Sequence, residues 1–548
     1  YYAACPNNPS VRTAVDFVIN GPTAHISGTG NLCQGATNIS IALTGTAPWT
    51  VTYTDGTTPV TVSGIMSSPY VFSASPSVAT TYSLVSASDA HCSALAGNLS
   101  GTANVNGAIQ WNGTIDNDWD NSANWSSGSV PTAIDCVVIP PATNSPVITG
   151  SGYNAFAYNL TILNGGILSI DSSNDITVTN WVDVNSGGQF YIKDSASLIQ
   201  INNIANSGNI NMERITQPMY RFDYTYWGCP LTLASNFTLG MLSPNTLSDK
   251  FFSWIPTTGA NQFGTWNFET SATIMNPIKG YIVRAPQSFS GSPAVKVPYT
   301  ANFIGTPNNG NISSPIYHGT LVGNNNDKYN LLGNPYPSAI DAQAFLTDSA
   351  NANVIDGTIY FWTHNSAPST SYVDPFYGDY VINYNASDYA SWNSLGAVGS
   401  RGSAAVSGGM VPNGYIASGQ GFFTRSSGTA PSGNPVTFKN SMRSSSNGQF
   451  YRNASIVSNT HRATSDIEKH RIWLNLISGS GIFNQILVGY IDGATTGWDR
   501  TYDGVRLTDG VSSTFYSVIP EQNLVIQGRP LPFEVADQVP LGFKTTVA

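Results

Sequence analysis

The sequence predicts an all-β protein that is divided into several modules. Charged residues make up only 9% of the 548 residues, so glutamate, lysine and arginine, which favour surface helices, are scarce. Short runs of β-branched and aromatic residues alternate with clusters of glycine, asparagine and proline, which is the pattern of strands and turns. A chain of this length predicts roughly three to five domains. We therefore expect a multidomain chain of immunoglobulin-like β-sandwich modules with a short β-solenoid-like module.

The charge and the motifs argue against several classes of function. The net charge of −10 argues against nucleic acid as a partner, because its binders carry a basic surface. No run of about 18 apolar residues occurs, so we expect no transmembrane helix. The chain has no nucleophile elbow, no zinc-protease motif, no phosphate-binding loop and no dinucleotide fingerprint. We expect a protein that is not an enzyme and that requires no cofactor.

Residues 19–107 carry the pattern of an immunoglobulin-like sandwich. Cys33, Trp49 and Cys92 follow one another in the order that this fold uses, and Tyr82 precedes the second cysteine. This order predicts a disulfide between Cys33 and Cys92, worth roughly 4 kcal/mol in the chain-entropy model. Residues 1–18 repeat the end of this pattern, and we expect them to be the end of a preceding immunoglobulin-like repeat.

Residues 108–212 contain short apolar runs that begin about eight residues apart and are separated by glycine- and asparagine-rich turns. This spacing is too short for ordinary sandwich hairpins. It favours a β-solenoid of about three coils, whose apolar residues stack inward. An antiparallel meander is the alternative.

Residues 213–455 contain an internal duplication, with one β-unit in residues 213–315 and a related one in residues 316–455. Four segments recur in the same order, which predicts two similar units that can share one sandwich core. The matched segments are 226–230 with 330–335, 251–254 with 359–362, 280–283 with 414–417, and 294–297 with 435–438.

The sequence from Gly333 to Pro337 predicts a rigid corner at the end of a strand, because two prolines fix φ there. Asp341 follows and is placed to cap a short helical turn. Further on, residues 456–470 are polar and predict a linker. Residues 471–548 alternate as half-buried strands, and we expect an incomplete C-terminal β-sandwich, truncated before a sorting domain.

Two acidic turns are candidates for a Ca²⁺ site, the one cofactor that the sequence suggests. Asp116, Asp118 and Asp120 alternate along the chain, so that a turn could bring the three carboxylates together. The later glycine and glutamate of an EF-hand are missing, and a solvated acidic turn is the alternative. A second acidic loop contains Asp499 and Asp503, with Asp492 nearby.

Cys136 and Cys229 flank the solenoid-like module. In an oxidising location we expect two such cysteines to pair if the fold brings them together. The alternative is two buried free thiols that act as small hydrophobic residues.

Aromatic residues are dense in a polar stretch that we interpret as a long loop. Such loops on rigid scaffolds are typical binding surfaces for glycans or proteins, although packing within the loop is the alternative. The residues are Tyr372, Phe376, Tyr377, Tyr380, Tyr384, Tyr389 and Trp392.

Several motifs resemble one family, the large modular surface proteins that Bacteroidota export by type IX secretion. The resemblance covers roughly residues 109–548. It implies passage through the type IX secretion machinery and a place outside the cell or on its outer surface. It also implies adhesin-like roles, in adhesion or gliding motility, toward a surface glycan or protein. The motifs are residues 330–341, 357–365 and 414–423, and in the tail residues 524–533 and 539–546.

The resemblance also suggests that the chain is a glycoprotein. Asp194 to Ala196 and Asp348 to Ala350 match the pattern that this bacterial group uses for O-glycosylation, which would place sugars on Ser195 and Ser349. We therefore expect a non-catalytic, adhesin-like stalk or display module. The alternatives are the accessory, glycan-binding modules of a larger secreted carbohydrate-active enzyme, and a subunit of an extracellular fibre.

Overall fold

The computed structural model is nearly all β, with two short α-helices in the part of the chain that it describes, which confirms the predicted fold class. The chain divides into two compact units, residues 1–111 with 125–138, and residues 112–124 with 139–548. No helix of the described residues is long and apolar enough to cross a membrane. The described residues are 2–5, 8–14, 21–31, 36–76, 79–258, 264–320, 328–364, 384, 386–400, 411–445, 468–478, 483–507 and 513–545.

The first unit contains a two-sheet sandwich. One sheet has the order β10-β3-β5-β8 and the other the order β4-β11-β9-β6-β7. Alternating residues such as Ile41 and Val51 face the core between the sheets, beside the buried Trp49. The strands are β1 (Tyr2–Cys5), β2 (Asn8–Ala14), β3 (Ala24–Ser27), β4 (Thr29–Asn31), β5 (Thr37–Leu43), β6 (Trp49–Thr54), β7 (Pro59–Ile65), β8 (Tyr70–Ala74), β9 (Thr80–Ser88), β10 (Leu99–Ser100), β11 (Thr102–Asn106), β12 (Ile109–Gln110) and β13 (Cys136–Ile139).

The predicted disulfide between Cys33 and Cys92 is wrong, because Cys92 is a free thiol; Cys33 itself lies outside the described residues. Cys92 follows β9 on a turn, where the Asp89 carboxylate accepts its backbone N–H at 2.9 Å. It is therefore not a strand residue that faces across a sandwich core, as the immunoglobulin pattern requires.

The second unit begins with a β-solenoid of three-strand coils. The strands form parallel ladders, β14-β17-β20-β22, β15-β18-β21 and β16-β19. Val147 pairs with Ser169 and Ser169 with Tyr191, so these coils advance by 22 residues, and the step from Tyr191 to Asn211 is 20 residues. The parallel pairing confirms the solenoid and excludes the meander. The strands are β14 (Val147–Ile148), β15 (Asn154–Ala157), β16 (Asn159–Ile162), β17 (Ile167–Ile170), β18 (Asp175–Val178), β19 (Val182–Val184), β20 (Gln189–Ile192), β21 (Ser197–Gln200) and β22 (Ile210–Ile215).

Two related β-units follow the solenoid. The first half contains β23 (Tyr224–Trp227), α1 (Leu239–Leu242), β24 (Phe251–Ile255), β25 (Thr265–Glu269), β26 (Tyr281–Arg284) and β27 (Thr300–Gly305). The second half contains β28 (Ile312–Pro315), β29 (Tyr329–Gly333), β30 (Ala339–Asp341), α2 (Ala342–Thr347), β31 (Ile355–Trp362), β32 (Tyr389–Asn393), β33 (Ala397–Val398), β34 (Tyr415–Ile416), β35 (Gly421–Ser426), β36 (Pro435–Phe438) and β37 (Arg443–Ser444).

The sheet order demonstrates the duplication. The order β23-β26-β24-β25 of the first half recurs as β29-β35-β31-β32 in the second. In each half, the strand that precedes the sheet in the chain pairs with the strand that follows the sheet. These pairs are β22 with β27 and β28 with β36. Side chains of both halves form one aromatic-rich core, which includes Tyr226 and Trp254 from the first half and Tyr360 from the second.

Two of the four predicted correspondences are wrong. The counterpart of β26 is β35, whereas residues 414–417 include β34, which pairs with β30 in a separate sheet. The counterpart of β36 is β27, and residues 294–297 precede that strand.

The predicted corner at Pro335 and the cap at Asp341 are confirmed. The Asp341 carboxylate accepts the N–H groups of Gln343 and Ala344 at 2.8 and 3.1 Å and so starts α2. The buried Asn334 side chain donates to the carbonyls of Ser338 and Ile416, which fixes the corner.

The last strands form one sheet of order β38-β39-β42-β41-β43, with β40 against β42. We predicted a sandwich, but the described strands form a single sheet. Its buried residues, including Leu487, pack against Leu395 and Val398 of the second duplicated half. The strands are β38 (Lys469–Ile477), β39 (Phe483–Ile491), β40 (Gly504–Val505), β41 (Ser513–Ile519), β42 (Gln522–Pro530) and β43 (Leu541–Thr545). Of the predicted linker, residues 456–467 lie outside the described residues.

Candidate functional site

The aromatic residues predicted to form a binding loop divide into two groups. Tyr372, Phe376, Tyr377 and Tyr380 lie outside the described residues. The remaining three are described, and two of them are core residues of a strand: Tyr389 and Trp392 lie on β32 and are 7% and 8% exposed. The prediction that these two residues form a binding loop is therefore wrong. β32 pairs with β31, and the two residues, three positions apart, face opposite sides of the sheet, each within a different buried cluster.

The aromatic core is joined by polar contacts between the halves. The hydroxyls of Tyr226 and Tyr389 lie 2.5 Å apart, and the Trp254 indole donates to the Tyr329 carbonyl at 2.8 Å. The rings of Tyr226 and Trp362 are stacked, with centroids 5.9 Å apart. These contacts fix β23 against β31 and give the segment that follows β31 a rigid base.

A buried acid–imidazole pair lies at the end of β31. The Nδ1 atom of His364 is 2.9 Å from an Asp223 carboxylate oxygen, and both side chains are fully or almost fully buried. The second Asp223 oxygen accepts the backbone N–H of Tyr220 at 3.2 Å. The same Nδ1 atom accepts the backbone N–H of Tyr224 at 3.3 Å, and His364 has a left-handed backbone, with φ of 47°, where the chain turns away from the strand.

Tyr384 returns the chain to the same place. Its hydroxyl donates to the Phe222 carbonyl at 2.8 Å, next to Asp223 in the sequence. Its ring contacts His364 edge to face, with centroids 5.0 Å apart. Burial raises the pKa of the phenol well above its ordinary value, so the hydroxyl stays a hydrogen-bond donor. We call His364, Asp223, Tyr384 and the Phe222 carbonyl the anchor.

The anchor brackets residues 365–383, the stretch that carries four of the predicted aromatic residues. The sequence showed that this stretch is rich in aromatic residues, but it did not predict the contacts that form the anchor. Asp223 and His364 are 141 positions apart in the chain, so a local sequence pattern could not predict their contact.

A family model described as a domain of unknown function (DUF8693) matches residues 110–548. The chain belongs to the DUF8693 family. No curated protein and no solved structure matches the chain. The matched DUF8693 region contains the solenoid, both duplicated halves and the last sheet.

The acidic turn at the start of the DUF8693 region is held together by hydrogen bonds among its own residues. The Asp116 carboxylate accepts hydrogen bonds from the side chains of Asn121 and Asn124, at 2.9 and 2.6 Å, which lowers its pKa. Asp118 accepts the Asp120 N–H at 3.1 Å. Asp120 in turn accepts the Tyr153 hydroxyl at 2.9 Å.

These three carboxylates serve as hydrogen-bond acceptors, and the Ca²⁺ site stays a prediction. No group of three histidine, cysteine, aspartate or glutamate side chains within the described ranges is placed to hold a metal ion. The turn positions Trp119, which is fully buried and donates its backbone N–H to Val147 at 3.1 Å. The turn thereby covers the first coil of the solenoid.

The predicted bridge between Cys136 and Cys229 is wrong. Cys136 is in a disulfide whose partner lies outside the described side chains, and Cys229 is a free thiol. The Cys229 thiol is buried, donates to the Leu231 carbonyl at 3.9 Å, and has a pKa raised to about 12 by burial. It acts as a small core residue, which was the alternative reading.

The two candidate glycosylation serines differ in exposure. Ser349 lies on an exposed turn after α2, where the preceding Asp348 is held by Lys439 at 2.8 Å. Ser195 is half-buried, and its hydroxyl donates to the neighbouring Asp194 carboxylate at 3.0 Å.

Proposed function

We propose that this chain is a non-catalytic, exported surface protein that displays an aromatic binding segment on a rigid β body, in adhesion or surface gliding. The segment is residues 365–383. The observation that carries the proposal is the anchor, which holds both neighbours of this segment, His364 and Tyr384, against the residues around Asp223. Binding residues are commonly carried on connecting segments that a rigid scaffold positions.

The continuity of the β body supports a role that involves load. The solenoid ladder that ends in β22 continues across β27, so the solenoid and the first half share one sheet. The second half is joined to the solenoid by the buried Arg443, which donates to the Leu198 carbonyl at 2.5 Å. Asn308 adds hydrogen bonds to the carbonyls of Leu231 and Pro335, both at 2.9 Å. Such contacts would pass tension between the solenoid and the two duplicated halves.

The proposal includes export by the type IX machinery and a surface glycan or protein as ligand, which rest on the resemblance of residues 330–341 and 414–423. It is tested with fluorescent antibody against the DUF8693 region on intact cells of the source bacterium. We expect intact cells to be labelled and a strain lacking the gene to attach less to surfaces. Labelling that requires cell lysis, or unchanged attachment, would contradict the proposal.

A fibre subunit is a second candidate, favoured by the outer strands of the last sheet. Within the described residues β38 and β43 are the end strands, and both expose large apolar side chains. Ile477 is 61% and Phe543 is 64% exposed. Open strand edges with apolar residues can pair with another chain. Sedimentation velocity across a concentration series decides this: assemblies support the fibre, and a monomer at every concentration rules it out.

A further inference from the structure

The solenoid and the first duplicated half share one sheet, whose outer face is partly exposed. Its strands are β14, β17, β20, β22 and β27, in that order. Inward residues such as Phe190, Met212 and Phe303 are buried, so the alternate residues point outward. We call the outward side of these five strands the ladder face. With strands ~4.8 Å apart, it is about 19 Å wide.

The ladder face presents side chains in rows. Ser169, Tyr191, Asn211 and Ile304 are neighbours on four successive strands. A second row pairs Glu213 with Asn302. These rows run across the strands at regular intervals, as a linear polymer with a short repeat would require.

The polar groups of the ladder face are open to a ligand. The side chains of Ser169, Asn211, Glu213 and Asn302 make no hydrogen bond within the described residues, and Asn302 is exposed. Tyr191 is half-exposed and donates to Gln189 at 2.6 Å, which fixes the position of the phenol. Amides both donate and accept, as sugar hydroxyls do, and tyrosine offers a flat apolar ring with a polar end.

The charge of the ladder face indicates which class of polymer it can bind. Glu213 is the one charged outward residue on these five strands, all of which are described, because the side chain of Arg214 is buried beneath the sheet. Asp171 and Lys193 continue the outward side directly after β17 and β20, so the face carries one cation beside two carboxylates. An anionic polymer would therefore meet a net negative charge, and a cationic polymer only a weak one. Of the outward apolar residues on these five strands, Ile304 is 47% exposed, and Val147, Ile167 and Ile215 are half-buried. A protein partner would require a larger exposed apolar centre than these residues offer.

We infer that the ladder face binds a neutral, hydroxyl-rich polysaccharide, with its sugar rings against Tyr191 and its hydroxyls on Asn211 and Asn302. The ladder face contains no residue of the segment 365–383 of the proposed function. Either site can therefore fail without the other.

The test measures binding of the purified chain to soluble neutral polysaccharides, namely a β-glucan, an arabinoxylan and a galactomannan, by isothermal titration. Alginate serves as the anionic comparison and a soluble protein as the protein comparison. We expect binding to at least one neutral polymer, weakened about tenfold by Tyr191→Ala and by Asn302→Arg. Phe156→Ala and Ser172→Arg are matched controls elsewhere on the solenoid, both at exposed positions, and should change affinity by less than about twofold.

Equal unfolding midpoints for all four variants establish that a loss of binding is not a loss of fold. A chain whose residues 366–382 are replaced by a glycine–serine linker should keep its polysaccharide affinity. The inference is overturned if no neutral polymer binds, or if Tyr191→Ala and Asn302→Arg bind as tightly as the parent chain. It is also overturned if these variants lose only binding to alginate or to the soluble protein.

Discussion

Gly228 and Gly333 touch through their backbones at the point where the two duplicated halves meet. A Cβ on Gly228 would lie 2.7 Å from the Gly333 Cα, and a Cβ on Gly333 would meet the Gly228 Cα more closely still. The Gly228 N–H donates to the Gly419 carbonyl at 2.7 Å, and the Asn334 N–H donates to Gln420 at 2.9 Å. The repeated glycine is therefore where β23 and β29 contact each other.

This contact predicts that neither glycine tolerates a side chain. Gly333→Ala should lower the free energy of unfolding by about 1–3 kcal/mol, because the added methyl overlaps backbone that cannot move aside cheaply. Guanidinium denaturation of the whole chain measures the effect. Gly291→Ala is the matched control, since its nearest neighbours are 3.9 Å away, and it should change stability by less than about 0.5 kcal/mol. Equal losses for the two variants would refute the contact.

Stability should rise as the pH falls from 8 toward 5.5. Burial raises the pKa of Asp503 from 3.8 to about 7, so the folded protein takes up a proton there before the unfolded chain does. The penalty for the buried charge is full above the folded pKa and disappears as the pH approaches the unfolded value. Asp175 is shifted in the same direction, to about 7, by its own burial.

Asp503→Asn should therefore flatten this pH dependence, removing a difference of about 2 kcal/mol between pH 5.5 and 8. Thermal unfolding at the two pH values provides the measurement, with Asp492→Asn, an exposed acid nearby, as the control. Asp55 and Asp89, whose pKa values fall to about 2, titrate below this window and do not oppose the effect. An unchanged slope in Asp503→Asn would show that Asp503 is not the group responsible.

Thiol labelling should distinguish the cysteines. Under denaturing, non-reducing conditions we expect a maleimide to modify Cys92 and Cys229 and to leave Cys136 unmodified, since Cys136 is in a disulfide. Peptide mass mapping identifies the modified residues. Without denaturant Cys229 should stay unlabelled, because its thiol is buried and protonated. Labelled Cys136 would contradict the structure.

If O-glycosylation occurs, it should favour Ser349 over Ser195. The exposed turn at Ser349 is accessible in the folded chain, whereas Ser195 is half-buried. Glycopeptide mapping of the natural protein is the measurement, with Ser349→Ala as the control. Sugar on Ser195 alone would reverse the expected order.

Local patterns in the sequence predicted the solenoid, but they could not predict contacts between residues that are far apart in the chain. The spacing of the strands before and after Gly165 and Gly187 was readable because each coil repeats the same short turn. The β26 counterpart was misassigned because two glycine–aromatic segments, at Gly414 and Gly421, lie seven residues apart in the second half. Only the pairing with β29 distinguishes them.

The last sheet and the anchor illustrate the same limit. The alternation around Leu487 correctly predicted half-buried strands, but the residue that covers it, Leu395, lies in another module. The anchor likewise joins Asp223 to His364 across the duplication. Sequence patterning reports which side of a strand is buried, and it does not identify the partner that buries it.

The most direct test of the proposed function compares beads coated with the purified chain with beads coated with a chain in which a glycine–serine linker replaces residues 366–382. The readout is attachment under flow to surfaces coated with glycans or proteins. His25→Ala, in the first unit, serves as the control. The proposal predicts that the parent and control chains attach and that the replaced chain, with an unchanged unfolding midpoint, loses most attachment. Equal attachment of the parent and replaced chains would contradict it.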